Sequence, residues 1–185
     1  MRTVFIFHGT ASNPKGNWFP WLKEQLESPD CRVFVPTFPT PDGESLSAWL
    51  GVFDGYRKFI DENTIFVGHS KGGLFLLRIL ERVEKPVNAA FFVGAPIGIK
   101  PIKFYDEDTA FSGGFDFDWQ KIKSNAHNFF VYHSDNDPYV CLENGQQLSK
   151  NLGVRLTFIP HAGHLNAESG YTTFPQLLAQ ISGIK

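Results

Sequence analysis

Short apolar runs alternate with longer segments of helical periodicity along most of the chain. Consecutive apolar positions over strand length are typical of strands that are buried on both faces of a parallel sheet. The predicted strands are residues 3–7, 32–36, 64–68, 87–93, 128–133 and 155–159. The predicted helices are residues 18–27, 45–60, 71–83, 143–152 and 174–181. This order predicts a three-layer α/β/α sandwich around a mainly parallel sheet of about six strands, in a single domain over residues 1–185.

Two segments stand out from this alternation. The predicted helix 71–83 is apolar nearly all round, which indicates deep burial. Residues 94–124 are less regular and combine glycines, an acidic patch at 106–108 and many aromatic residues. We expect 96–119 to cover an acyl pocket. The alternative is that its aromatic residues only pack locally beneath a long loop.

Composition and charge exclude several classes of protein. Hydrophobic residues make up 42% of the chain, enough for a packed core, and the formal net charge is only −2. Without a block of like charge we expect no nucleic-acid or anionic membrane partner. No apolar run approaches the roughly 20 residues of a membrane span, and none fits a signal peptide. The two cysteines, Cys31 and Cys141, are too isolated for a disulfide framework, so we expect a cytoplasmic protein.

The stretch 68–72 reads Gly-His-Ser-Lys-Gly, which has the pattern G-x-S-x-G. It lies where a predicted strand ends and the buried helix begins. A serine on such a sharp turn exposes its hydroxyl, and small neighbours are needed because strand and helix nearly touch. Ser70 is therefore a candidate nucleophile. An ordinary glycine-rich turn with an inert serine is the alternative.

A serine nucleophile needs a base, because a free hydroxyl reacts weakly near neutral pH. His164 lies in a loop just after the last predicted strand, at the sheet edge where Ser70 also lies. His161 shares this loop and stays open as a second candidate. His69 is excluded as the base, since adjacent side chains on a tight turn point apart, and His8 is expected to shape the loop after the first strand.

The base in turn needs an acid that holds it in the correct tautomer. Asp135 and Asp137 both follow the predicted strand 128–133. Asp137 is preferred, since it precedes Pro138 and is thus biased toward extended backbone. Ser70, Asp137 and His164 then occur in the chain order of an α/β-hydrolase triad.

The oxyanion of such a reaction needs two backbone N–H donors. The first is expected from Lys71, directly after the nucleophile, and the second from Thr10 in the glycine-containing loop 8–17. The Lys71 side chain itself is expected to point to solvent. We also name His69, Phe104 and Phe111 as candidate substrate contacts.

Other classes of site fit less well. The two histidines of the segment 161–164 lack the carboxylates of a metal site, and no G-x-G-x-x-G follows the first strand. We therefore expect neither a metal nor an organic cofactor. A non-catalytic protein-binding module on the same scaffold remains the main alternative, because fold does not fix function.

The chain resembles the α/β-hydrolase superfamily, and most closely the compact serine hydrolases related to retinoblastoma-binding protein nine. The resemblance rests on the segments FHGTASNPKGNWFPWL, FVGHSKGGLFLLRIL, SDNDPYV and HAGHLNAESGYTTFPQL. It implies a small sheet without a large cap domain and a triad of Ser70, Asp137 and His164. We predict a carboxylesterase-like serine hydrolase for small or medium acyl esters, with thioesters and amides as further candidates. The sequence indicates no particular protein partner.

Overall fold

The computed structural model describes residues 1–184, whose six strands lie side by side in one parallel sheet. The strands are β1 (Arg2–Phe7), β2 (Cys31–Phe34), β3 (Thr64–His69), β4 (Val87–Val93), β5 (Ala126–His133) and β6 (Leu156–Phe158). Their order across the sheet is β2-β1-β3-β4-β5-β6. The predicted sandwich with a parallel sheet is thus confirmed.

Helices cover both faces of this sheet. They are α1 (Phe19–Leu26), α2 (Leu46–Asp54), α3 (Lys71–Leu80), α4 (Tyr105–Ser112), α5 (Trp119–Ser124), α6 (Leu142–Leu152) and α7 (Pro175–Ser182). Successive side chains of a strand point to opposite faces, and those of β1 enter two separate cores. Phe5 and Phe7 pack with α2 to α6, whereas Val4 and Ile6 pack with α1 and α7. Burial on both faces explains why the strands are apolar throughout.

The strand order brings two loops together at the carboxyl edge of the sheet. The chain builds β2 on one side of β1 and then returns to place β3 on the other side. Phe7, at the end of β1, is paired with Gly68 in β3. The loops that follow β1 and β3 therefore diverge from neighbouring positions, and such a switch point is where open α/β sheets bind ligands.

Helix α3 is buried along its whole length, as its all-round apolar character predicts. It begins immediately after Ser70, and its first turn lies against the ends of the strands. An ideal Cβ on Gly72 would come within 2.7 Å of the His8 carbonyl oxygen and closer still to that of Phe7. Only glycine permits this approach.

Two sequence predictions of secondary structure were wrong. The helix expected over 45–60 ends at Asp54, and a separate 3₁₀ turn (Arg57–Phe59) follows Gly55. Residues 94–124, expected to be irregular, contain α4 and α5. Helix α4 has no apolar periodicity because two of its three buried residues, Asp108 and Ser112, are polar.

Two helical glycines provide a matched test of this packing. Replacing Gly72 with alanine should lower the free energy of unfolding by about 3 kcal/mol, because the added methyl group meets backbone that cannot rotate away. Replacing Gly51 in α2 should raise it by about 0.5–1 kcal/mol, because nothing lies within 4 Å and alanine favours helix. Urea unfolding measures both. Equal effects at the two positions would contradict the close contact.

Candidate active site

Ser70 occupies a strained turn between β3 and α3. Its φ of 55° and ψ of −127° lie outside the regions that residues with a side chain normally adopt. Two backbone hydrogen bonds hold the turn, since Ser70 N–H donates to the Val93 carbonyl at 2.8 Å and Gly73 N–H donates to the Ser70 carbonyl at 2.8 Å. The sharp turn leaves Ser70 partly exposed at the carboxyl edge of the sheet.

Glycines let the neighbouring backbone approach this serine. A Cβ on Gly68 would lie 2.6 Å from the Gly72 carbonyl oxygen, so the strand and the helix meet without side chains between them. A Cβ on Gly9 would lie 2.8 Å from Cβ of Ser70 and 3.2 Å from its Oγ. The loop after β1 thus runs directly beside the serine hydroxyl.

His164 and Asp137 form a buried hydrogen-bonded pair. Nδ1 of His164 donates to Oδ2 of Asp137 at 2.7 Å. The other carboxylate oxygen accepts the N–H groups of Tyr139 at 2.8 Å and Val140 at 3.1 Å. Burial would raise the pKa of Asp137, but the hydrogen bond from His164 and these two amides hold it below the ordinary value. A carboxylate at this position fixes the tautomer and leaves Nε2 of His164 free to accept a proton.

His69 connects this pair to the serine turn. Its Nε2–H donates to the backbone carbonyl of His164 at 2.9 Å, and the two rings are 4.8 Å apart. Burial lowers the pKa of His69 to about 3, so the ring stays neutral. Within residues 1–184 no hydrogen bond joins Oγ of Ser70 to the His164 ring, and such bonds often tighten only when substrate binds.

The alternative acid and base, Asp135 and His161, are paired with each other instead. The Asp135 carboxylate accepts the His161 N–H at 2.8 Å, and its other oxygen lies 3.7 Å from the His161 ring. The His161 side chain is 84% exposed. These two residues brace the loop between β6 and α7, whereas Asp137 and His164 are buried together.

His8 shapes the loop after β1, as expected. Its Nδ1–H donates to the Gly9 carbonyl at 3.0 Å, and its Nε2 accepts the Phe38 N–H at 3.1 Å. Accepting at Nε2 requires the neutral ring, and burial lowers the pKa in the same direction. The donor and acceptor of His8 are both used, so the ring holds Gly9 rather than acting as a base.

The expectation that Lys71 points to solvent was wrong. Its side chain is 2% exposed, forms a short ion pair with Glu44 and lies 3.2 Å from Oδ1 of Asp108. A long charged side chain at the start of a helix usually reaches water, but here Glu44, in the segment before α2, and Asp108, in α4, contact it. Burial raises the pKa of Asp108 to about 6, against the opposing effect of the Lys71 charge. Sequence patterning missed Glu44 and Asp108, since neither occurs in a recognisable motif.

The candidate substrate contacts lie in different surroundings. Phe104 is partly exposed and stacks on Tyr139 at 6.2 Å, and Tyr139 in turn lies 4.8 Å from the His164 ring. Phe111 is 4% exposed and packs in the core, 4.9 Å from Trp49 and 6.4 Å from Phe75. The packing alternative therefore applies to Phe111. His69 is also buried, and its polar contact is with the backbone of His164.

Within residues 1–184, no three His, Cys, Asp or Glu side chains are grouped so that they could hold a metal ion. No helix in the same range combines the length and apolar character needed to cross a bilayer.

Comparison with known proteins identifies the family. A family model described as serine hydrolase matches residues 4–182. This chain belongs to that family. YdeN of Bacillus subtilis is 30% identical over 177 residues, covering 94% of this chain and 91% of YdeN. The serine hydrolase RBBP9 of Rattus norvegicus is 28% identical over 150 residues, covering 80% of this chain and 77% of RBBP9. The predicted relationship is confirmed.

Two solved structures confirm the architecture. The YdeN crystal structure superposes with a TM-score of 0.90 at 27% identity, covering 100% of this chain and 98% of YdeN. Est1E from Butyrivibrio proteoclasticus, with ferulic acid bound, gives a TM-score of 0.70 at 15% identity and 98% and 90% coverage. The second likeness concerns the fold alone. The predicted enzyme class, a serine hydrolase, is confirmed by the family match, and the carboxylesterase-like activity stays a prediction.

The buried carboxyl of Asp108 should make stability depend on pH. Its pKa is about 6 in the folded protein against an ordinary 3.8, so the folded state keeps a proton that the unfolded state loses between these values. Stability contributed by protonated Asp108 is present below pH 4 and lost as pH rises through 6. The Asn side chain of Asp108→Asn does not titrate. The free energy of unfolding of this variant should therefore rise by about 2–3 kcal/mol relative to that of wild type as the pH rises from 4 to 7.

Urea unfolding across that pH range measures the difference between the two proteins. Lys71, Glu44 and Glu107 are the charged groups that act on Asp108. Exposed Glu107 on the same helix supplies the control, because its effect on Asp108 is the smallest of the three and Glu107→Gln should change the slope little. A constant difference between wild type and Asp108→Asn would contradict the raised pKa.

Proposed function

We propose that this serine hydrolase cleaves small or medium acyl esters, with thioesters or amides as further substrates, through Ser70, His164 and Asp137. The observation that carries the proposal is the buried Asp137–His164 pair, which His69 ties to the strained serine turn. The proposed nucleophile, base and orienting acid follow the ends of β3, β6 and β5 respectively. This arrangement matches the roles that a catalytic triad requires.

In the proposed reaction, Oγ of Ser70 attacks the carbonyl carbon while Nε2 of His164 takes the hydroxyl proton. The tetrahedral intermediate collapses, the bond to the leaving group breaks, and His164 returns the proton to that group. Water then attacks the acyl-serine, again losing its proton to His164, and the acid product leaves as Ser70 regains the proton. Asp137 stabilises the transient imidazolium.

The negative charge on the intermediate would be met by two backbone N–H groups, from Lys71 and Thr10. Lys71 begins α3, where amides have no intrahelical acceptor and the helix dipole is positive. Gly9 allows the loop that carries Thr10 to run beside Oγ of Ser70. Loss of one such donor typically slows hydrolysis by about 100- to 1,000-fold.

Substrate preference would come from the segment 96–119 and from Tyr139. Phe104 and Tyr139 form an aromatic wall beside His164, which suits an apolar or aromatic group of the ester. That Est1E holds ferulic acid is a property of Est1E, but it agrees with an aromatic acyl group as a starting probe. The proposed reaction uses no cofactor. The cytoplasmic location of the protein stays a prediction from the sequence.

A fluorophosphonate probe tests the nucleophile directly. Wild type should be labelled, whereas Ser70→Ala should be unlabelled and His164→Ala nearly so, because the hydroxyl is unreactive without its base. Ser70→Ala should also lower kcat/KM on a p-nitrophenyl ester panel by at least about 10,000-fold. His161→Ala serves as the matched control and should behave as wild type. A folded wild-type protein that stays unlabelled would favour the binding-module alternative.

Alanine substitutions at Phe104 and Phe111 distinguish a residue of the proposed pocket from a residue of the core. Phe104→Ala should change the preference among esters of different acyl size several-fold while leaving the melting temperature nearly unchanged, since Phe104 is partly exposed. Phe111→Ala should instead lower stability by about 3–5 kcal/mol through a core cavity. Relative kcat/KM values across the panel give the answer, and an unchanged profile for Phe104→Ala would refute the aromatic wall.

A further inference from the structure

An ionic cluster of largely buried side chains includes those of both proposed oxyanion-hole residues, Thr10 and Lys71. We define the Glu44 cluster as the side chains of Thr10, Thr40, Glu44, Lys71 and Asp108. They come from the loop after β1, the segment before α2, the start of α3 and the middle of α4. Lys71, Glu44 and Asp108 have side chains that are only 2%, 11% and 5% exposed. Burying three charges is costly, so the cluster calls for a functional explanation.

The contacts converge on the Glu44 carboxylate. Oε1 accepts a short hydrogen bond from Nζ of Lys71 and a longer one, at 3.4 Å, from Oγ1 of Thr10. Oε2 accepts Oγ1–H of Thr40 at 2.5 Å, and the same Thr40 oxygen accepts the Ala11 N–H at 2.9 Å. A single carboxylate therefore holds the loop that carries Thr10 at two points and holds the Lys71 side chain at a third.

Thr10 and Lys71 are the residues whose backbone N–H groups would form the oxyanion hole. Their backbones come from loops after different strands, and no sequence-local interaction sets the separation between them. We propose that Glu44 is a positioning residue that fixes this separation, so that both N–H groups point at the developing oxyanion. The inference rests on the proposed function, because it assigns a role only if Ser70 generates such an oxyanion.

Asp108 extends the connection to the segment 96–119. Its Oδ1 lies 3.2 Å from Nζ of Lys71 but receives no hydrogen bond within the described residues. Nζ of Lys71 also lies 5.4 Å from the centre of the Phe111 ring. Phe111 is on the same helix as Asp108, and the contact is a cation–π interaction. Lys71 is thus held by Glu44 and by two residues of α4, Asp108 and Phe111. These contacts exclude the free movement that a catalytic base would need. Its charge serves to hold backbone in place.

The test compares two buried ion pairs that both involve α3. Glu44→Ala should lower kcat/KM for an activated ester by about 10- to 100-fold, mainly through kcat, because misplaced donors weaken only the transition state. Glu81→Ala breaks the similarly buried Arg78–Glu81 pair, whose members are 9% and 14% exposed, at the far end of α3. It should lower the melting temperature comparably but keep kcat within about threefold, with all assays run well below both melting temperatures.

A boronic acid with the same acyl group provides a readout that a purely structural role would not move. Its adduct with Ser70 is a tetrahedral anion, so its Ki should rise by the same factor by which kcat/KM falls in Glu44→Ala. Glu44→Gln keeps an acceptor oxygen for Lys71 and Thr10 and should recover part of the loss. If Glu44→Ala does not fold, Thr40→Val removes one of the two attachments to the loop and should show a smaller, parallel change.

Unchanged kcat and boronate affinity in a folded Glu44→Ala protein would overturn the inference, as would an equal loss in Glu81→Ala. A fall in kcat without weaker boronate binding would also overturn it. In each of these cases wild type remains labelled by fluorophosphonate and Ser70→Ala does not, so the proposed function stands. If wild type itself is neither labelled nor active, the proposed function and this inference fall together.

Discussion

The structure depends on the close approach of three pieces of backbone at the carboxyl edge of the sheet. The end of β1, the turn at Ser70 and the first turn of α3 meet without intervening side chains, because Gly9, Gly68 and Gly72 stand at the contacts. This approach forces Ser70 into its positive φ and leaves it partly exposed. The cost of the strained turn is offset by the burial of all of α3, which anchors the turn in the core.

Several polar side chains at this edge are held by hydrogen bonds to other protein groups. His8 uses both ring nitrogens, Asp137 accepts three hydrogen bonds, and His69 donates to the backbone that carries His164. Buried groups held in this way cannot easily reorient, which suits a site that must stabilise charge without rearranging. The Glu44 cluster applies the same principle beside this edge, with Lys71 and Glu44 paired as ions.

Elements that bury apolar side chains were predicted well, and elements that bury polar side chains were not. The all-apolar strands and α3 show their burial in their composition, so their positions follow from the sequence. Helix α4 hides its buried face because that face includes Asp108 and Ser112. Lys71 was misplaced for the same reason, since a lysine is expected at the surface unless partners from elsewhere in the chain surround it.

The sequence by itself determined the fold class, the gathering of functional loops at the carboxyl ends of parallel strands, and the G-x-S-x-G motif around Ser70. These features follow from local periodicity, glycine placement and chain order, which are all properties of neighbouring residues. Only the tertiary structure decided that Asp137 pairs with His164 while Asp135 braces His161, and that Glu44 reaches both Thr10 and Lys71. The Pro138 that follows Asp137 favoured that residue, but partners tens of residues apart are chosen by the packing of the sheet and its helices.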